Sequence, residues 1–201
     1  AGEKRFQHQL RHDWLDSHVA GGDILDSGCG YGRLLAELAQ RRYRSVVGTD
    51  FSQGMLRHCS ALHQGFSFRL VQTDGRTLPF RDRCFDAVLL FTLLTCMPQE
   101  GEQRGLLAEV KRILRPGGLV YISDLLLNTD ARNVSRYEQF AEEFGTYGVF
   151  KLPEGVVVRH HSEDWIRSLT EAFVRVEYET FSVTTMNGNS SVAFQYLGKL
   201  R

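Results

Sequence analysis

The sequence predicts an open α/β fold, in which a mostly parallel β-sheet carries helices on both faces and ends in an antiparallel hairpin strand. Short apolar segments alternate with amphipathic segments over residues 23–123, which is typical of strands and helices that follow one another in a parallel sheet. The apolar segments lack polar alternation, so the strands are expected to be buried on both faces. Asn187-Gly188 separates two strand-like segments near the end and favours a tight hairpin.

Local patterns predict where each element begins and ends. Phe6, Leu10 and Trp14 recur every four residues and predict an N-terminal helix over about 3–18. The other expected helices lie at about 34–39, 52–63, 100–114, 133–144 and 162–169. The expected strands lie at about 23–26, 45–50, 66–71, 85–91, 119–123, 174–185 and 191–197. The stretch 128–160 falls between the fifth strand and the last helix, and is predicted to be an insertion near the carboxyl ends of the strands.

Composition and charge restrict the class of protein and its partners. The 201 residues suit a single domain spanning 1–201, and 24 Lys and Arg balance 24 Asp and Glu, so the formal net charge is zero. A neutral chain lacks the global basic field that attracts nucleic acids, so no nucleic-acid partner is expected. No apolar run approaches the ~20 residues of a membrane span, and the four cysteines lack zinc-site spacing. We expect no metal, no membrane segment and a cytoplasmic location, and the oligomeric state stays open.

A glycine-rich turn after the first strand predicts a ligand site. Residues 28–32, Gly-Cys-Gly-Tyr-Gly and hereafter the glycine loop, lead into a helix whose N-terminus favours a carboxylate or phosphate. Asp50 ends the second strand, where a carboxylate can accept both hydroxyl groups of a ribose. These features predict a nucleoside-containing ligand. The spacing is G-x-G-x-G with Arg33 next, which disfavours the G-x-G-x-x-G pattern of dinucleotide-binding proteins.

Four segments appear in a fixed order between residues 23 and 123: ILDSGCGYG, VVGTDFSQGML, TDGRTLPFRDRCFDAVLL and VKRILRPGGLVYIS. In this order and spacing, the chain resembles the class I S-adenosylmethionine-dependent methyltransferases, in particular the small-molecule branch called the methyltransferase-11 type. The resemblance implies a Rossmann-like sheet, S-adenosylmethionine as the methyl donor and S-adenosylhomocysteine as the product.

The resemblance also implies a cofactor site along the carboxyl ends of the first four strands. The positions that match the family's cofactor-binding residues are Asp26, Gly28, Cys29, Gly30, Gly32, Asp50, Phe51, Met55, Asp74, Gly75 and Phe91. By this resemblance, Asp26 and the glycine loop hold the methionine part of the cofactor, and Asp50 binds the ribose.

The remaining matches concern the adenine and the segment after the fourth strand. Phe51 and Met55 correspond to residues that pack on the adenine and ribose, and Asp74-Gly75 corresponds to the pair that reads the adenine edge. Phe91 and Thr92 match the segment that lines the methionine and faces the substrate. The family often has Ser, Asn or Cys where this chain has Phe91, so the contacts of this segment are less defined than those of the others.

The acceptor site is expected to involve the parts of the chain outside the shared core. The N-terminal helix and the 128–160 insertion are predicted to cover the site and set the choice of acceptor. A base is needed only if the acceptor must lose a proton. No catalytic residue is assigned, and the candidates are His160, His161 and Tyr147, with His8 and His12 in the N-terminal segment. His160 and His161 are expected to point in opposite directions, because they lie where an extended segment enters a helix.

The favoured function is methyl transfer to an O, N or C atom of a small-molecule acceptor, by in-line displacement at the sulfonium methyl group. The fourth strand is followed by Phe91-Thr92-Leu93-Leu94, not by the Asn/Asp-Pro-Pro-aromatic motif of enzymes that methylate the amino groups of nucleic-acid bases. One alternative is a tRNA or protein methyltransferase, which a basic patch around the cleft would favour. The alternative from another class is a non-catalytic S-adenosylmethionine-binding partner or sensor, which Phe91 filling the acceptor pocket would favour.

Overall fold

The computed structural model describes residues 8–185 and 188–201. Its helices are α1 (His12–Asp16), α2 (Arg33–Ala39), α3 (Gln53–Leu62), α4 (Glu100–Ile113), α5 (Ala131–Phe144) and α6 (Glu163–Leu169), with a 3-10 turn at Leu94–Cys96. Its strands are β1 (Asp23–Ser27), β2 (Ser45–Asp50), β3 (Arg69–Gln72), β4 (Phe85–Phe91), β5 (Leu114–Leu125), β6 (Val149–Lys151), β7 (Val157–Arg159), β8 (Phe173–Thr184) and β9 (Ser190–Leu200).

The main sheet has seven strands within the described residues, in the order β3-β2-β1-β4-β5-β9-β8. Strands β1 to β5 run parallel, whereas β9 pairs antiparallel with both β5 and β8. This arrangement confirms the predicted Rossmann-like α/β sheet with an antiparallel C-terminal pair. The strand order reverses at β1 and β4, and ligands of such sheets bind in the crevice outside the carboxyl ends at that point.

Two apolar layers enclose the sheet, as expected for parallel strands buried on both faces. Leu25, Val88 and Val120 face one layer, which is completed by residues of α4 and α6. The other face of the same strands carries Ile24 and Tyr121, and α1, α2 and α3 pack there. Successive side chains of a strand point to opposite faces, so one continuous apolar segment supplies both layers.

The 128–160 insertion folds over the carboxyl end of β5. Its β6 and β7 form an antiparallel hairpin, and α5 contributes Tyr137 to a small core with Phe150 and Val158. The residues that flank the insertion are joined to each other, because Leu127 N donates to His161 O at 2.8 Å. The insertion therefore lies beside the crevice that the sheet topology predicts.

The predicted N-terminal helix over 3–18 is wrong in its length. Residues 1–7 lie outside the described part of the chain, and residues 8–11 are not helical, so the helix is confined to α1. The backbone before α1 instead bonds to side chains of the sheet. Arg11 N donates to Tyr121 Oη at 3.2 Å, and Gln195 Nε2 donates to Gln9 O. These tertiary hydrogen bonds replace the local bonds that a helix would have made.

Smaller differences concern strand boundaries and the hairpin. The third strand begins at Arg69 and not at 66, because Phe66 N still donates to His63 O in the turn that ends α3. The fifth strand begins at Leu114 and not at 119, with an irregularity in its pairing to β4. The antiparallel pairing of β8 and β9 is present as predicted, although Asn187 of the hairpin turn lies outside the described residues.

Replacement of Tyr121 by Phe should loosen the segment before α1. Tyr121 Oη accepts from Arg11 N and donates to Gln195 Oε1 at 2.5 Å, so the variant leaves buried polar groups without a partner. We expect a loss of ~1–3 kcal/mol in the free energy of unfolding, measured by urea denaturation, and faster hydrogen exchange at Arg11. Tyr43→Phe, which removes a hydroxyl bound to exposed Asp16, is the control and should cost less. Unchanged exchange at Arg11 would contradict the role given to Tyr121.

Candidate active site

The glycine loop has the backbone geometry that only glycine adopts without strain. Gly28, Gly30 and Gly32 have φ of 79°, 53° and 83°, in the left-handed region. A Cβ at Gly28 would lie 2.8 Å from Leu93 Cδ1, and one at Gly32 would lie 2.3 Å from Cys59 Sγ. A Cβ at Gly30 would meet nothing within 4 Å. Gly28 and Gly32 are thus required for packing, whereas Gly30 presents bare backbone to open space.

Hydrogen bonds fasten the glycine loop to the end of β2. Gly28 N and Cys29 N both donate to Thr49 O at 2.8 Å, and Gly30 N donates to Asp50 Oδ2 at 2.9 Å. The side chain of Cys29 is buried in the core, so Cys29 can contribute to a ligand site only through its backbone. The loop is therefore held in shape before any ligand binds.

Asp50 stands at the centre of the predicted ribose site. Its Oδ2 bonds to the glycine loop, and its Oδ1 accepts from Ser52 N at 2.8 Å. Phe51 and Met55 follow it with side chains that are 76% and 45% exposed. A carboxylate next to two exposed apolar side chains suits a ligand that has both hydroxyl groups and a flat apolar ring.

Asp26 is a buried carboxyl group that has no hydrogen-bond partner among the described residues. It is the second-last residue of β1 and is 2% exposed. Burial raises the pKa of Asp26 to about 7, and nearby Asp50 adds to the rise while Arg33 opposes it. Because no described group donates to its side chain, the carboxyl of Asp26 can meet a hydrogen-bond donor or a cation, such as the ammonium group of an amino acid.

Asp74 lies in an exposed turn beyond the end of β3. Its Oδ1 accepts from Arg76 N at 3.0 Å, and Gly75 has a φ of 76°. Thr73 N donates to Asp50 O at 3.1 Å, which ties this turn to the ribose site. The acidic residues at the ends of β1, β2 and β3 thus follow one edge of the sheet in the order that the sequence predicts.

Phe91 ends β4 with its side chain in the core and not in the crevice. The ring is 6% exposed and packs edge to face on Tyr121, with the ring centres 5.0 Å apart. Thr92 follows with a φ of 52°, which is strained for a β-branched residue. Only the backbone of Phe91 can therefore contribute to a ligand site, so its bulk does not occlude the crevice.

The two histidines of the insertion are buried and hydrogen-bonded to different partners. His161 Nδ1 donates to Leu125 O at 3.1 Å, and its Nε2 accepts from Gln103 Nε2 at 3.0 Å. His160 Nδ1 bonds to Tyr137 Oη at 2.6 Å. Burial lowers the pKa of both histidines to about 3, so both are neutral near pH 7. The contacts of His161 connect the end of the insertion to β5 and α4, whereas the bond of His160 to Tyr137 lies within the insertion, and both are structural contacts.

The other candidates for the acceptor site differ in exposure. Tyr147 is 49% exposed and touches the edge of Tyr137. His8 is buried at the end of β5, where its Nδ1 bonds to Ser123 Oγ at 2.8 Å, and burial lowers its pKa to about 4. His12 lies at the start of α1 and faces Glu37 at 3.5 Å, away from the carboxyl ends of the strands.

The part of the chain that contains the ends of β1 to β4 is similar to known proteins. Residues 24–118 match the family model described as a methyltransferase domain. The phthiotriol/phenolphthiotriol dimycocerosates methyltransferase of Mycobacterium tuberculosis is 34% identical over 113 residues, which cover 56% of this chain and 41% of that protein. The fatty-acid O-methyltransferase of Mycolicibacterium smegmatis is 35% identical over 130 residues, which cover 64% of this chain and 44% of that protein. The chain spans less than half the length of these curated relatives.

A solved structure extends the likeness to nearly the whole fold. An S-adenosylmethionine-dependent methyltransferase of Methanosarcina mazei superposes with a TM-score of 0.86 at 23% identity, over 93% of this chain and 96% of that chain. Residues 24–118 thus resemble a methyltransferase domain in sequence, and nearly the whole chain shares the fold of this solved structure. The glycine loop follows β1, Asp50 ends β2 and the turn at Asp74 follows β3.

Sequence reasoning passed over two polar residues just beyond the matched methyltransferase domain. Ser123 and Asp124 end the apolar run of β5 and are both fully buried. Asp124 Oδ2 accepts from Thr95 N at 3.1 Å, and Oδ1 accepts from Leu125 N at 2.8 Å. Burial raises the pKa of Asp124 to about 7. The sequence does contain a sign of this site, because a polar pair stands at the carboxyl end of a strand next to the switch point, where functional residues concentrate.

The described residues contain neither a membrane-spanning helix nor a metal-binding cluster. In residues 8–185 and 188–201, no helix has both the length and the apolar character needed to cross a bilayer. No group of three or more His, Cys, Asp or Glu side chains in the same ranges is arranged to hold a metal ion.

Asp26→Asn should stabilise the free protein at high pH. The ordinary pKa of Asp is 3.8 and that of buried Asp26 is about 7, so between pH 4 and 7 the folded protein keeps a proton that the unfolded chain releases. Folding stability therefore falls as the pH rises through this range. The variant lacks this cost and should be more stable than the parent at pH 8, by up to ~4 kcal/mol, with no comparable gain at pH 4.

Urea denaturation at the two pH values measures this difference. Asp164→Asn changes a carboxylate whose side chain is 87% exposed and should leave stability nearly unchanged at both. An equal effect of Asp26→Asn at pH 4 and pH 8 would show that Asp26 is not the titrating group.

Proposed function

We propose that this protein transfers the methyl group of S-adenosylmethionine to a small-molecule acceptor. The observation that carries the proposal is the unpaired buried carboxyl of Asp26 beside the bare backbone of Gly30. This pair suits the charged amino-acid end of the cofactor. The names of the curated relatives, a fatty-acid O-methyltransferase among them, support an acceptor of small molecular size and favour oxygen among the O, N and C atoms that the sequence leaves open.

The residues present fit the cofactor along its whole length. Asp26 and the glycine loop would hold the methionine part, and Asp50 would accept from the ribose hydroxyls. The exposed side chains of Phe51 and Met55 would pack on the adenine, and Asp74-Gly75 would meet its edge. When bound, S-adenosylmethionine supplies an activated methyl group on a sulfonium, so the chain itself contributes alignment and exclusion of water.

The distribution of charge favours a small acceptor over a nucleic acid. The carboxyl edge of the sheet carries acidic residues at the ends of four strands: Asp26, Asp50, Asp74 and Asp124. The opposite edge carries basic residues that form no ion pair with any described residue: Arg69, Arg81, Arg83, Lys111 and Lys199. An RNA phosphate backbone would meet the carboxylates of Asp50 and Asp74 at the reaction site. The same acidic edge attracts the sulfonium and ammonium groups of the cofactor.

The insertion and the N-terminal segment are proposed to shape the acceptor site. Thr95 Oγ1 donates to Arg159 O at 2.6 Å, which brings β7 against the turn that follows β4. His8 approaches the end of β5 from the other side of the sheet. His160 and His161 are occupied by structural hydrogen bonds, so we assign them to holding the insertion in place. Tyr147, which is exposed, is the candidate for contact with the acceptor.

The position of Phe91 bears on the alternative of a non-catalytic sensor. Its ring is buried in the core, so the feature that would have favoured a sensor is absent.

The state of the cysteines bears on the location of the protein. All four are unpaired, which supports a reducing compartment such as the cytoplasm: Cys29, Cys59, Cys84 and Cys96.

Ligand binding tests the proposed cofactor. We expect S-adenosylmethionine and S-adenosylhomocysteine to raise the melting temperature, since a ligand at 100 times its Kd adds ~2.7 kcal/mol of stability, and we expect NAD to have no effect. Asp50→Ala should weaken binding of both ligands at least ~10-fold, because it removes an acceptor of charge-assisted hydrogen bonds. Asp164→Ala is the control and should bind as the parent does. Stabilisation by NAD alone would refute the proposal.

Release of S-adenosylhomocysteine tests the reaction itself. The protein is incubated with S-adenosylmethionine and a panel of fatty acids, lipid alcohols and small phenols, with tRNA as the comparison. Methylation of a member of the panel but not of tRNA is expected. Methylation of tRNA alone would replace the small-molecule proposal by the nucleic-acid alternative.

A further inference from the structure

We propose that Asp124 is a positioning residue that holds the turn at 92–96, hereafter the β4 turn, against the glycine loop at the methionine end of the cofactor site. The inference rests on the proposed function and deepens it, because it names a residue on which the shape of the site depends. Asp124 belongs to β5, outside the segments that bind the cofactor by resemblance.

The carboxylate of Asp124 is fully buried and bridges two segments of backbone. One oxygen accepts from Thr95 N in the β4 turn at 3.1 Å, and the other accepts from Leu125 N at the end of β5 at 2.8 Å. A carboxylate offers an acceptor to both N–H groups at once. An amide offers one acceptor, and its NH2 group would face the second N–H donor.

The β4 turn needs such support because it begins with a strained residue. Thr92 has a φ of 52°, a left-handed conformation that is strained for a non-glycine residue. Thr92 N donates to Ser123 O at 2.7 Å, and Thr95 Oγ1 donates to Arg159 O at 2.6 Å. Together with the bond from Thr95 N to Asp124, these contacts fix the turn at its start and near its end.

The β4 turn also packs directly on the glycine loop. Leu93 lies so close to Gly28 that a Cβ on the glycine would stand 2.8 Å from Leu93 Cδ1. Movement of the turn would therefore change the space beside Gly28 and Gly30. The adenosine end of the site has further contacts of its own. Asp50 also bonds to Gly30 N, but its other oxygen accepts from Ser52 N and its carbonyl accepts from Thr73 N.

This geometry predicts a loss of affinity that is confined to one end of the cofactor. Asp124→Asn should weaken binding of S-adenosylhomocysteine about tenfold, as expected for one charge-assisted hydrogen bond. Binding of 5′-methylthioadenosine, which lacks the amino-acid part, should stay within about twofold of the parent because the adenosine contacts are unchanged. Isothermal titration calorimetry measures both, and Asp164→Asn is the control that should alter neither affinity.

A second variant keeps the test decisive if Asp124→Asn does not fold. Leu93→Ala removes the contact between the β4 turn and Gly28 at a half-buried position, and it should produce the same split between the two ligands. An equal loss for both ligands, or no loss for either, overturns the positioning role. If the parent protein binds neither ligand, the proposed function itself fails. If it binds both and the variants show no split, only the role of Asp124 fails.

Discussion

The site depends on one steric and hydrogen-bonding constraint, which is the fastening of the glycine loop to the end of β2. Two successive N–H groups of the loop share Thr49 O, and Gly30 N is bound by Asp50. This arrangement requires positive φ at three positions and leaves no room for a side chain at Gly28 or Gly32. It brings the end of β1 next to the end of β2, and so it places Asp26 and Asp50 around the same exposed stretch of backbone.

Buried carboxyl groups and strained backbone lower the stability of the fold at this end of the sheet. Asp26 and Asp124 are both buried carboxyl groups whose pKa is raised to about 7, and Thr92 has a strained backbone. The two carboxyl groups differ in their partners, because Asp124 accepts two backbone hydrogen bonds and Asp26 accepts none from the described residues. Buried carboxyl groups and strained backbone of this kind concentrate at functional sites. Asp124 therefore joins two segments of backbone, whereas we propose that Asp26 meets the ligand.

Buried hydrogen bonds and an aromatic contact attach the insertion to the core. His161, Gln103 and Trp165 form a buried chain of hydrogen bonds that joins the end of β5 to α4 and α6. Arg159 packs its guanidinium over the ring of Trp165 at 4.7 Å. These contacts hold the base of the insertion to the core, so the insertion has a rigid support.

The sequence by itself determined the alternation of strands and helices, the glycine loop and the acidic residues at the strand ends, Asp26, Asp50 and Asp74. These are local features, since glycine tolerance, apolar periodicity and a carboxylate at a strand end are all readable within a few residues. The tertiary structure decided the rest. Residues 8–11 bond to Tyr121 and Gln195 and do not form the predicted helix, Phe91 turns into the core, and His160 and His161 serve the insertion. The role of Asp124 rests on Thr95, 29 positions earlier in the chain. Such choices depend on partners that are distant in sequence, and only the folded chain brings them together.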